Sequence, residues 1–369
     1  MKIFLLTIST IVLLFSADYL TNKSCQECHP DIYDEYQTSY HAKTYFNDEL
    51  HRKVAQKVSV YDCGHCHMPA AKNLLDMDSG KTMPNPIYKE QKDAISCFYC
   101  HQIAYVKKAH KHNINILSKQ AEDYKPTLYG SLNNPDDSDK HSSVKSPIYD
   151  KYVCMGCHSH KRNSNNVLIF KTINENMDSK ECIKCHMPYI DGPVEKMNKR
   201  ARMRHRSHYF AGIHNSEMRS KSVKLSVEAK DNKIIVTIEN LMSHPLIIHP
   251  SRIKYLKIKL IRNRKIVWKN FQNDPMEDKK GAFVTDFLDE HGRNVTIPAF
   301  AKKRGFINNI GPKDKKELIY IVPELQKNDK IVVEMDLMLV KPECAKLLKL
   351  EDKSLTEPIV MKRVKMIIK

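Results

Sequence analysis

The sequence predicts an α+β fold. A mainly α and irregular N-terminal domain is expected over 18–220, and an antiparallel β-sandwich-like domain over 221–369, behind a signal peptide over 1–17. Three observations carry this. Ten of the eleven cysteines sit in five copies of one pattern, Cys-x-x-Cys-His, all before residue 187. From about Lys221 the pattern stops, and apolar residues alternate with polar ones as in half-buried strands. At the N-terminus Lys2 precedes a mostly apolar run, Ile3 to Phe15, too short to span a bilayer comfortably.

That run reads as a secretion signal, with Ser16-Ala17 as a small-residue cleavage point. No second apolar stretch of spanning length follows, so the mature chain is not expected to be integral to a membrane.

The repeated pattern occurs at Cys25/Cys28/His29, Cys63/Cys66/His67, Cys97/Cys100/His101, Cys154/Cys157/His158 and Cys182/Cys185/His186. In a chain of this composition one match is expected by chance on the order of 0.02 times. The spacing reads as covalent attachment of c-type haem, five in all. The two thiols bond the vinyl groups and the adjacent histidine gives the first axial nitrogen. On a helical turn residues i, i+3 and i+4 share a face, so both sulfurs and the imidazole meet one porphyrin. Zinc knuckles need paired Cys-x-x-Cys units around one metal, and a thioredoxin-like pair is expected once, near a βαβ unit. Neither demands a histidine after every second cysteine.

With so little chain per cofactor, the N-terminal domain is expected to be haem-packed, with short helices and long connections. Residues 30–46 are the best helix candidate: Pro30 stands where its missing N–H costs nothing, and Ile32, Tyr33, Tyr36 and Tyr40 give a rough apolar stripe. Residues 124–147, with three prolines and Asn133-Asn134-Pro135-Asp136-Asp137, read as a loop. Strands are expected at 223–229, 234–238, 253–261, 265–271, 294–298, 317–322, 331–340 and 358–368, a spacing that suggests a β-sandwich. Cys344, outside the motifs, reads as a lone thiol near a short helix around 345–350.

The formal charge is +18. Haem propionates offset much of it, since buried carboxylates need partners. The lysines are scattered through both halves, so nucleic-acid binding is not expected, while steering of an acidic redox partner or an anionic substrate is.

Thirteen histidines lie outside the motif positions. A second axial histidine makes a haem an electron carrier, and an open position lets it bind substrate. Two imidazoles on one iron hold their nitrogens about 4 Å apart, given bonds near 2 Å. If His41 continues a helix from His29 it lies about 18 Å along the axis, so it would reach a neighbour's haem. His110 and His112 stand in the same relation to His101. His65 and His160 sit too close to their own motif histidines. The leading candidates are His41, His208, His214 and His244, followed by His110, His112 and His205. His51, His141, His249 and His291 read as ordinary histidines.

The stretch from Cys25 to His41, with Ser39-Tyr40-His41, resembles the start of the multihaem cytochromes related to the tetrahaem cytochrome c of ammonia oxidation and to hydroxylamine oxidoreductase. His67-Met68-Pro69, His186-Met187-Pro188 and the run from Arg206 to His214 are also similar. So is Glu239 to Pro245, which resembles a β-domain segment whose histidine reaches back to a haem, although Ser243 replaces the usual glycine. The resemblance implies export to the periplasm of a bacterium, because haem c is attached outside the cytoplasm. It also implies distal-ligand roles for His41, His208, His214 and His244.

The function that follows is electron transfer between a membrane quinol-oxidising cytochrome and a terminal periplasmic reductase, as in anaerobic respiration. The alternative is a multihaem oxidoreductase acting on a small nitrogen or sulfur compound at a five-coordinate haem. No lysine-ligated Cys-x-x-Cys-Lys motif is present, which favours the carrier, and no catalytic residue is assigned. A third reading makes the β-domain a docking module.

Overall fold

The structure is a computed structural model and describes residues 19–43, 45–118, 125–172 and 180–369. The expected signal peptide lies outside the described residues. The fold is mixed α and β.

The motifs sit on short helical turns: Asn22–Gln26 leads into the first, and Gly64–His67, Cys97–His101, Met155–His158 and Lys180–His186 carry the others. The backbone N–H of His29, His67 and His158 each donates to the carbonyl of the first cysteine of its motif, at 2.9, 3.0 and 2.9 Å. One turn therefore places both thiols and the imidazole on one side, as the spacing requires. Thr21 and Ser96 cap two of these helices through their hydroxyl oxygens. The helix after the first motif, Pro30–Thr38, starts on its proline as expected but stops at Ser39, short of 46.

Three small strand pairs fill the gaps between motifs and a fourth follows the last one. β1 (Ile103–Lys107) pairs with β2 (Ile114–Leu117), β5 (His160–Arg162) with β6 (Leu168–Lys171), and β7 (Tyr189–Asp191) with β8 (Arg204–Arg206), all antiparallel. β3 (Thr127–Gly130) and β4 (Ser142–Lys145) run parallel. The stretch read as a loop thus carries two strands, with the Pro- and Asp-rich run as the connection between them.

The later chain forms two antiparallel sheets. The first has the order β15–β10–β9, from Lys315–Ile321, Lys233–Asn240 and Val223–Lys230. The second runs β14 (Lys303–Asn308), β13 (Ala282–Leu288), β11 (Ile253–Arg262), β16 (Lys330–Met338) and β17 (Ile359–Ile367), with β12 (Lys265–Lys269) also on β11. Alternate residues Ile234, Val236 and Ile238 of β10 meet Leu256, Ile258 and Leu260 of β11 and Ile331 and Val333 of β16 in one buried core. Each such side chain contributes about 1.5–3 kcal/mol by leaving water. Cys344 is buried in the same core on the helix Pro342–Leu348. Residues 294–298 were expected to be a strand but make only an isolated bridge, Leu288–Asn294. Pro298 supplies no N–H for a ladder.

One of the loops that the sheets bring to the motif-bearing region carries His244 and His249. Residues 241–252 join β10 to β11 and are clamped from below. Asn240 Nδ2 donates to the carbonyls of His244, Ile310 and Gly311, and Asn309 bonds both the N–H and the C=O of Ile247. A second tie comes from buried Asn163, whose Nδ2 donates to the carbonyls of Pro298 and Ala301 at 3.0 and 2.8 Å. Among the described residues no helix is long and apolar enough to cross a membrane.

Candidate haem-binding site

All ten motif cysteines and all five motif histidines line one continuous, mainly apolar cavity of about 1890 Å³. Among the described residues the motif cysteines form no disulfide. Motifs adjoin one another within the cavity: Cys25 of the first lies beside Cys97 of the third, and Cys66 of the second beside Cys157 of the fourth.

Four motif histidines face a second histidine across a gap of nearly constant width. Ring centroids are 6.4 Å apart for His29–His141, 6.3 Å for His101–His208, 6.0 Å for His158–His41 and 6.4 Å for His186–His244. The interplanar angles are 27°, 28°, 39° and 19°. Two rings on one iron, with nitrogens about 4 Å apart, put their centroids about 6 Å apart, so the gap is that of a bis-imidazole metal.

The hydrogen bonds fix which nitrogen is offered. Nδ1 of His29, His101 and His186 donates to the carbonyls of Val194, Tyr129 and Ala211 at 2.7, 2.6 and 2.5 Å. Nδ1 of His208 and His244 donates likewise to Arg206 and Pro245. That tautomer leaves the Nε2 lone pair free for a metal, an arrangement common to ligating histidines. Burial pushes His41 and His208 down to about 3 and His244 to about 4, so all three are neutral near pH 7. Thiols, neutral imidazoles and an apolar chamber together fit haem c.

The remaining motif histidine, His67 of the second motif, is set differently. His51 lies against it at 4.3 Å and 50°, too close for a metal between the rings. The nearby wall carries His249, whose Nδ1 bonds Ser251 Oγ at 2.7 Å, together with Arg252, Tyr40 and His214. Tyr40 and His214 stack at 3.3 Å. Arg252 and Lys254 have no carboxylate within ion-pair distance among the described residues. Burial pushes them down to about 10 and about 7, and Lys254 Nζ donates to the Leu246 carbonyl.

Of the distal candidates, then, His41, His208 and His244 stand opposite motif histidines, and His214 stands on Tyr40. His110 is placed elsewhere. Its Nε2 bonds Asn166 Oδ1 at 2.7 Å, and no motif histidine faces it among the described residues. His112 lies beside His65, and His205 spends both nitrogens, on the Gly192 carbonyl and on Glu35. His141, read as an ordinary histidine, is the one opposite His29. No local signal marked it, since it comes from a polar connection far along the chain.

Residues 24–102 match the family model described as cytochrome c554 and c-prime. The fold is similar to that of a penta-heme cytochrome c552 from Thermochromatium tepidum, with a TM-score of 0.73, 20% identity, and coverage of 95% of this chain and 99% of that one. The chain is a multihaem c-type cytochrome. A second solved structure, the structural genomics target SoR45, covers 40% of the cytochrome at 8% identity with a TM-score of 0.16, too low for comparison. No curated protein matches the cytochrome.

Proposed function

We propose that this cytochrome is an exported, periplasmic electron-transfer protein. It holds five haems c on its five motifs, within a haem-packed domain over 18–220 that is followed by a β-sandwich-like one over 221–369. The observation that carries the reading is the set of four histidine pairs at 6.0–6.4 Å. Haem c supplies a one-electron couple at each iron, and two histidine ligands close both faces to substrate. The protein's own part is to fix the rings, by the Nδ1–carbonyl bonds, and to keep neighbouring motifs in contact. His41, His141, His208 and His244 are the second ligands in this reading, and each belongs to a different stretch of chain from the motif it serves. Electrons would pass between a membrane quinol-oxidising cytochrome and a terminal reductase.

The surroundings of His67 favour a second reading, an oxidoreductase for a small nitrogen or sulfur compound. His51 does not stand at the paired spacing there, and Arg252, His249 and Tyr40 face the same space. Protein-film voltammetry separates the two. The carrier gives reversible one-electron waves that added nitrite, hydroxylamine or sulfite leaves unchanged. A catalytic current with any of them contradicts the carrier reading and supports the enzyme.

A further inference from the structure

The hairpin that follows the fifth motif carries a dense run of cations. Between Lys184 and Tyr209 there are seven Lys or Arg and two Asp or Glu, a local excess of five. Five of the cations, Lys199, Arg200, Arg202, Arg204 and Arg206, fall within eight residues. Propionates do not account for all of them. Lys184, Arg200 and Arg204 are exposed and do not line the cavity, whereas Lys196, Lys199, Arg202 and Arg206 do; Arg200 and Arg202 share Asp136, Arg204 meets Asp191 on the same hairpin, and Lys184 has no carboxylate within ion-pair distance among the described residues.

The same surface carries apolar side chains where water would ordinarily exclude them. Met203 is 73% exposed and Tyr189 46%. Tyr189 lies beneath Arg206 and near Arg204, whose guanidinium carbons sit 3.9 and 5.9 Å from the ring centroid. β7 and β8 hold these residues in register, Tyr189 opposite Arg206 and Asp191 opposite Arg204. Arginine, tyrosine and methionine on one exposed face is the composition of a protein-binding patch rather than of a solvated one. The patch begins at the chemistry: Cys185, one of the two thiols of the fifth motif, is exposed beside Lys184.

We infer that this face, centred on Lys184, Tyr189, Met203 and Arg204, is the docking surface for an acidic redox protein, which exchanges electrons with the cytochrome at the fifth motif. The inference rests on the electron-transfer reading above. Fixed cations around an apolar centre steer an acidic partner and then seat it, raising the association rate most at low salt.

The test uses the full haem-loaded chain and reduced flavodoxin, an acidic protein that gives up one electron which the cytochrome takes. Stopped-flow reduction and surface plasmon resonance with oxidised flavodoxin are measured for the wild type, for Arg200→Glu/Arg204→Glu, and for Lys265→Glu on β12 as a charge control. A small uncharged reductant is run in parallel. The double variant is expected to lose about tenfold or more in association rate at low ionic strength, to flatten the salt dependence and to weaken binding. The Lys265 variant should show none of the three, and reduction by the small reductant should stay unchanged. Equal losses in the control, no loss in the double variant, or no reduction by flavodoxin while the small reductant works would overturn the docking surface and leave the carrier reading standing. Binding to vesicles of anionic phospholipid in place of flavodoxin would also overturn it. Failure of every reductant to load the cytochrome with electrons would remove the carrier reading itself.

Discussion

His205 Nε2 donates to Glu35 Oε1 at 2.8 Å with both side chains all but fully buried, while the other oxygen, Oε2, accepts the backbone N–H of His208 at 2.7 Å. One carboxylate from the helix after the first motif thus fixes the strand and loop that present a histidine to the third. Removing one member of a buried pair leaves the other without its partner, at a cost of about 3–5 kcal/mol. Glu35→Ala should therefore lower unfolding stability by about that much in chemical denaturation, and it should loosen His208 so that part of the haem at Cys97/Cys100 turns high-spin. Glu35→Gln, which keeps an acceptor, should do less of both.

Gly156, inside the fourth motif, has no room for a side chain. A Cβ there would stand 1.7 Å from Asn115 Oδ1, and Asn115 is itself held by Tyr99 Oη and Cys157 Sγ. Gly156→Ala should cut the yield of fully loaded cytochrome and its stability. Adding Asn115→Ala should recover much of the loss, giving a coupling of about 1–3 kcal/mol in a double-mutant cycle. Equal defects in the single and double variants would contradict the contact.

Asp336 on β16 is 1% exposed, and its Oδ1 has no hydrogen-bond partner among the described residues. Burial, with Glu334 nearby, pushes its carboxyl up to about 6. The folded chain then binds a proton more readily than the unfolded chain between pH 4 and 6, so the group's contribution to stability falls as pH rises through that window and is flat above it. Asp336→Asn should stabilise the protein by about 2 kcal/mol at pH 7. The gain should vanish by about pH 4, which melting curves at several pH values can check.

His141 and His110 make a paired prediction. His141→Ala should open one haem, seen as one added equivalent of carbon monoxide bound per reduced chain. His110→Ala, whose ring bonds Asn166, should add none.

What the sequence revealed and what it hid divide along the length scale of the interaction. The five motifs were readable because thiols and imidazole lie on one turn, so spacing alone defines them. His41 could be assigned to a neighbouring motif because helix geometry ruled out its own. His141 could not be found that way: its relation to His29 is made by the packing of β3 and β4, whose parallel pairing no local pattern announces. His205 looked like any candidate ligand until both nitrogens proved committed. Among the strands, β13 was missed because Ala282–Leu288 is buried on both faces and does not alternate. β14 was missed because Lys303–Asn308 opens on two cations and contains Gly305, so no alternating apolar run marks it.

The central claim is that four haems have two histidine ligands each and the one at His67 does not. Spin quantitation by electron paramagnetic resonance of the oxidised cytochrome tests it most directly. The account predicts about four low-spin haems per chain and one high-spin haem, with added cyanide turning the high-spin signal low-spin and leaving the other four unchanged. Five low-spin bis-histidine signals, or high-spin iron at more than one motif, would contradict it.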